Sequence, residues 1–147
     1  HQDERYREAI PFLRLALVHA RGEEELIAQL TGWLGLAHFK LGESDTATDL
    51  LLQVAREYPE QIHYVLQAYA TLIRYSMQAV DTDTARDYAE QVQRYAERVV
   101  KGGKAAEYPP LYTKMSQIMR LAGDQAQSQS WKQRGQKKAI EQRARVS

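Results

Sequence analysis

GLAHFKLGESDTATDLLLQVAREYP, residues 35–59, reads as the end of one helix, a turn, a second helix and a stop. Gly42 is the residue that takes a left-handed turn cheaply. Ser44 or Asp45 is expected to cap the second helix, and Pro59 blocks its continuation. Gly35 and Ala47 are small residues where the two helices of a hairpin would touch, and Ala37 would face a neighbouring unit. The stretch has no nucleophile beside a base, no phosphate-binding loop and no metal-ligand set, so its spacing points to architecture rather than to chemistry.

Working outward, glycine and proline fall between segments of helical periodicity. Tyr6, Ala9, Ile10, Leu13, Ala16 and Leu17 share one face of a first helix, about Asp3 to Ala20, in which Pro11 is expected to cause a slight bend. Arg21-Gly22 ends it. Further helices are expected over about Glu23 to Leu41, Ser44 to Tyr58, Gln61 to Ala79, Thr82 or Asp83 to Val100, Leu111 to Ala122 and Asp124 to Arg143. No segment alternates with period two, so the expected class is all-α with about seven helices. REAIPFLRLAL, DTATDLLLQVA and DTARDYAEQVQ superimpose with Ala9, Ala47 and Ala85 in register, a spacing of 38 residues taken twice. Leu13, Leu51 and Ala89, then Ala16, Val54 and Val92, follow in the same register. A period of this size with two helices per unit is the pattern of a helical repeat whose hairpins bury their apolar faces by stacking.

Leu34, Gly35, Ala37, Gly42, Ala47 and Pro59 together resemble the tetratricopeptide repeat, in a long-helix variant, because the usual period is about 34 residues. Longer-helix relatives of this family occur in some bacterial regulators. The resemblance implies a right-handed superhelical solenoid of antiparallel helix pairs. Residues 1–147 then form a single repeat domain: an unpaired first helix (3–21), repeat 1 (23–59), repeat 2 (60–101) and a degenerate repeat 3 with a basic last helix (107–145). The pattern departs at Val80, where the turn glycine would sit, and at Ser116 and Ser128, where small packing residues are expected. The family's concave groove carries over to Gln29, Gly32, Leu36, Phe39 and Lys40, then Gln67, Ala70, Arg74, Met77 and Gln78, then Thr113, Gln117 and Arg120. Gly32 and Leu36 stand where the family's carboxylate clamp needs Lys and Asn, so a receptor for acidic chaperone tails is disfavoured.

Composition bounds the rest. The 147 residues are 44% hydrophobic and 27% charged, and 20 Lys+Arg against 19 Asp+Glu leave a net charge of +1. No whole-molecule field draws the chain to nucleic acid, which is disfavoured as a partner. Cysteine is absent, which removes disulfides and thiolate metal sites and fits a cytoplasmic location. No apolar run approaches the roughly 20 residues of a membrane span. The first residue is His1 rather than Met, as expected where upstream residues, a targeting segment or another domain among them, have been removed. His1, His19, His38 and His63 show no metal-site pairing, and the three internal ones read as interface or surface residues. Local charge concentrates from Lys132 to Arg145: Lys132, Arg134, Lys137, Lys138, Arg143 and Arg145 against Glu141. This reads as a solvated basic end-helix or as a patch for an acidic partner or a phosphate backbone, while Trp131, Ala139 and Ile140 are expected to pack it back onto the array.

These readings converge on a non-catalytic adaptor with no cofactor and no metal, binding a protein or peptide partner in its groove. Its expected contacts are Gln29, Leu36, Phe39, Lys40, Gln67, Arg74, Met77, Gln78, Gln117 and Arg120, with Lys132, Arg134, Lys137 and Lys138 as a basic patch. The terminal helices offer a surface for a homodimer. The alternatives are the sensing or oligomerisation domain of a larger bacterial transcription regulator, or a secretion or envelope assembly scaffold.

Overall fold

Helix-favouring segments separated by short turns, most of them with glycine, give seven α-helices in the computed structural model, which describes residues 2–146. They are α1 (Gln2–His19), α2 (Glu24–Lys40), α3 (Ser44–Glu57), α4 (Ile62–Gln78), α5 (Thr82–Lys101), α6 (Leu111–Leu121) and α7 (Gln125–Val146). A short 3-10 turn, Ala105–Glu107, lies between α5 and α6. Among the described residues there is no strand, and no helix is long and apolar enough to cross a membrane.

The 38-residue period is visible in the backbone itself. The starts of α2 and α4, Glu24 and Ile62, are 38 residues apart, as are their ends, Lys40 and Gln78. Ser44 and Thr82, the starts of α3 and α5, keep the same interval. After α2, Gly42 N–H donates to the Phe39 carbonyl (3.0 Å) and Glu43 N–H to that of His38 (2.9 Å); after α4, Val80 N–H donates to Met77 (3.0 Å) and Asp81 N–H to Ser76 (2.9 Å). This pair of bonds closes the orphan carbonyls of a helix end and needs a left-handed residue at its centre. Gly42 supplies it at φ +79°, and Val80 is forced to φ +57°.

Val80 is therefore strained for no packing return, since its side chain is 81% exposed. The left-handed conformation costs an L-residue about 1–2 kcal/mol, and glycine gives back about 0.4–1 kcal/mol through its freer unfolded chain. Val80→Gly is expected to raise the urea midpoint, a gain of about 0.5–1 kcal/mol at unchanged slope. A lower midpoint would show that the turn is not strained.

One N-terminal cap differs from the sequence expectation. The cap of α3 is Glu43 rather than Ser44 or Asp45, and it makes no side-chain cap bond; the turn bond to His38 fixes the Glu43 backbone first. At α5 the cap is Asp81, whose carboxylate accepts from Thr84 N–H (3.2 Å) and from the Thr84 hydroxyl (2.7 Å). These two bonds hold the Asp81 carboxyl below the usual carboxylate range.

The chain divides inside α4, between Tyr75 and Ser76, into two compact units. In the first, α1 packs on α2 and α2 on α3. Gly35 marks the closest approach of α2 and α3: a Cβ there would lie 2.9 Å from the Leu51 side chain. Leu34, Leu51, Val54, Val65, Leu72 and Ile73, each at most 1% exposed, fill the interior. In the second unit α6 packs on both α5 and α7, around Leu111, Met115, Met119, Val92 and Trp131, again each at most 1% exposed.

Candidate functional site

Unit 1 presents one continuous stripe along α2. Leu26, Gln29, Trp33, Leu36 and Lys40 alternate by three and four residues, which aligns them on a single helix face. The rest of the helix explains why they stay outside: Ala28, Leu30, Thr31, Leu34, Gly35, Ala37 and His38 are all buried. Trp33 is 51% exposed and Leu26 37%; Gln29 and Leu36 are half-buried and Lys40 exposed. Trp33 and Leu26 were not among the residues expected from the sequence. Their seven-residue spacing, in phase with Gln29 and Leu36, was the signal that could have found them.

Phe39, expected as a groove contact, is half-buried. Its ring stacks on Tyr75 at 4.3 Å between centroids and 7° between planes, tying the end of α2 to α4. The Lys40 ammonium lies 5.9 Å from the same Tyr75 ring. On α4, Gln67 and Arg74 are exposed. Met77, half-buried, and Gln78, exposed, follow on the second-unit side of the division. His38 is not a surface residue: it is 6% exposed and its Nδ1 lies 3.3 Å from the Glu43 carboxylate.

In unit 2 the expected basic patch separates into two sets. Arg134 is held structurally, its guanidinium 2.6 Å from the Glu97 carboxylate and 4.1 Å over the Trp131 ring. Trp131 Nε1 donates to Gln93 Oε1 (3.2 Å), and Gln93 Nε2 donates to Gln127 (3.0 Å). Lys132 and Lys138, by contrast, line an open groove of about 800 Å3 together with Gln117 and Arg120 of α6 and with Arg145. Lys137 is exposed and does not line it. Within the groove lining α6 and α7 approach closely at Gly135, where a Cβ would meet Tyr112 Cβ at 2.8 Å.

Ser116 and Ser128, the departures from a small-residue pattern, compensate for each other. Ser128 Oγ donates to the Ser116 carbonyl (2.8 Å), which leaves the Ser116 hydroxyl to donate across the 3.1 Å contact to Ser128 Oγ. Only Trp131 of the three residues expected to pack α7 back is buried: Ala139 is exposed and Ile140 is 64% exposed. The reason is length, since α7 has 22 residues against 11 in α6 and its last turns run past its partner. The terminal helices, expected to offer a homodimer surface, expose Phe12, Leu15 and Val18 on α1 and Ile140 and Val146 on α7.

Among the described residues no three His, Asp or Glu side chains converge as a metal site. Burial raises the Tyr58 and Tyr108 phenols above their ordinary range, with Glu57 and Glu24 adding to the shift at Tyr58. Both phenols thus stay protonated at neutral pH. What the two surfaces offer is apolar and aromatic area, amides and cations, the chemistry of recognition. Compared with known proteins, the chain matches no family model and no curated protein.

Proposed function

We propose that the chain is a non-catalytic protein-interaction module built from tetratricopeptide-like helix pairs, stacked as a right-handed solenoid, and that the α2 stripe receives a segment of a partner protein. The recurrence after 38 residues of both ends of α2 in α4, of the start of α3 in α5 and of the turn bonds between them supports the repeat reading. The observation that carries the binding role is Trp33, half exposed between Leu26 and Leu36 on a helix whose other faces are packed. An exposed indole flanked by aliphatic groups is the composition of an interface hot spot, and Gln29 and Lys40 on the same stripe supply polar partners for a segment laid along the helix.

The test compares affinity capture by the native chain and by Trp33→Asp, both checked by circular dichroism. Trp33 is exposed, so the substitution leaves the core intact. A protein held by the native chain is expected to lose about 2 kcal/mol or more with the variant, roughly thirtyfold in affinity. Equal retention of every captured protein would remove the α2 stripe from the binding site.

A further inference from the structure

The groove of unit 2 is built from other helices than the α2 stripe of unit 1 and has a distinct chemistry. Its lining carries Arg120, Lys132, Lys138 and Arg145 against the single acid Glu141. Glu141 is 3.8 Å from Lys138, whereas Arg120 and Lys132 have no carboxylate within ion-pair distance among the described residues. Small apolar residues, Ala105, Ala106, Pro109 and Ala139, line the groove together with Gln117 and Gln136. α6, with 11 residues, is about 16 Å long, the span of about five extended residues.

We propose that this groove is a second binding site, for an extended protein segment that alternates carboxylate and small aliphatic side chains. Carboxylates meet the unpaired Arg120 and Lys132, aliphatic groups pack against the lining alanines and Pro109, and the two glutamines bond the segment's backbone amides. The same features argue against a nucleic-acid strand. Binding of single strands relies on aromatic platforms for the bases, and the lining aromatic, Tyr112, is engaged with Trp131 at 5.9 Å.

The proposal is independent of the α2 reading, and its test leaves α2 untouched. Fluorescence anisotropy would be measured with a labelled peptide of alternating glutamate and valine, its glutamine-for-glutamate counterpart, and a labelled single-stranded oligonucleotide. The acidic peptide is expected to bind in a salt-dependent manner and the other two much more weakly. Arg120→Glu or Lys132→Glu is expected to weaken the acidic peptide about threefold to fivefold each, and the pair together about tenfold or more. Lys114→Glu, the same charge change on α6 outside the groove lining, is expected to leave binding within about twofold, which separates the groove from net charge. Circular dichroism and an unchanged urea midpoint keep folding out of the comparison. Absence of acidic-peptide binding, equal binding of the glutamine peptide, tighter binding of the oligonucleotide, or equal loss with Lys114→Glu would each overturn the proposal.

Discussion

Trp131→Ala is expected to destabilise the chain by about 3–5 kcal/mol, the range for truncating a large buried aromatic. Trp131 heads the fully buried side chains by volume and is 1% exposed. It touches three systems at once: its Nε1 bonds Gln93, its ring is tilted against Tyr112, and Arg134 lies over its face. Alanine would leave a cavity between α5, α6 and α7 and would release Gln93 and Arg134 together. Trp131→Phe separates the contributions, since it keeps most of the apolar volume and loses the indole bond. It is expected to cost about 1–2 kcal/mol. Urea unfolding followed by circular dichroism is the right measurement, because the substitution removes one of the two tryptophans. A loss under about 1 kcal/mol for alanine would mean that α7 is not anchored through this residue.

Gly35→Val is the second large effect. The Cβ alone would sit 2.9 Å from both Cγ and Cδ2 of Leu51 and 3.4 Å from the Ala47 carbonyl oxygen. Leu51 is 1% exposed and Ala47 fully buried, so neither can move aside without shifting α3. Two further methyl groups force the helices apart, at a cost of about 3 kcal/mol, only slightly offset by the better helix propensity of valine. The mechanism is checked by coupling rather than by the single value. Leu51→Ala should cost about 2–5 kcal/mol in the native chain and about 1 kcal/mol or more less beside Gly35→Val, because the cavity receives the new methyls. Additive losses would contradict close contact of α2 and α3 at this point.

That contact was legible in the sequence. Gly35, Ala47 and the turn at Gly42 are small or left-handed for reasons that act locally, and local reasons survive in a one-dimensional reading. The helix order and the 38-residue register followed from the same punctuation. Val80 was recognisable as the residue in a glycine's place, although its positive φ required the backbone. The surfaces were less legible. Charges from Lys132 to Lys138 were grouped along the chain, yet Lys132 and Arg134 stand about 200° apart around a helix, so one reaches the groove and the other Glu97. Arg120 and Lys132, from different parts of the sequence reading, line one groove because α6 and α7 form a hairpin. Trp33 adjoins Leu34, and neighbours in sequence point about 100° apart on a helix: Leu34 is buried and Trp33 is half exposed.

That difference also provides the most direct test of the proposed function. Trp131 is 1% exposed and Trp33 51%, so acrylamide quenching of the native chain reads Trp33 almost alone. The measurement is quenching before and after saturation with the protein recovered by affinity capture. The account predicts that binding shields Trp33, lowering the quenching constant and shifting emission to the blue. Saturable binding that leaves Trp33 as accessible as in the free chain would contradict it.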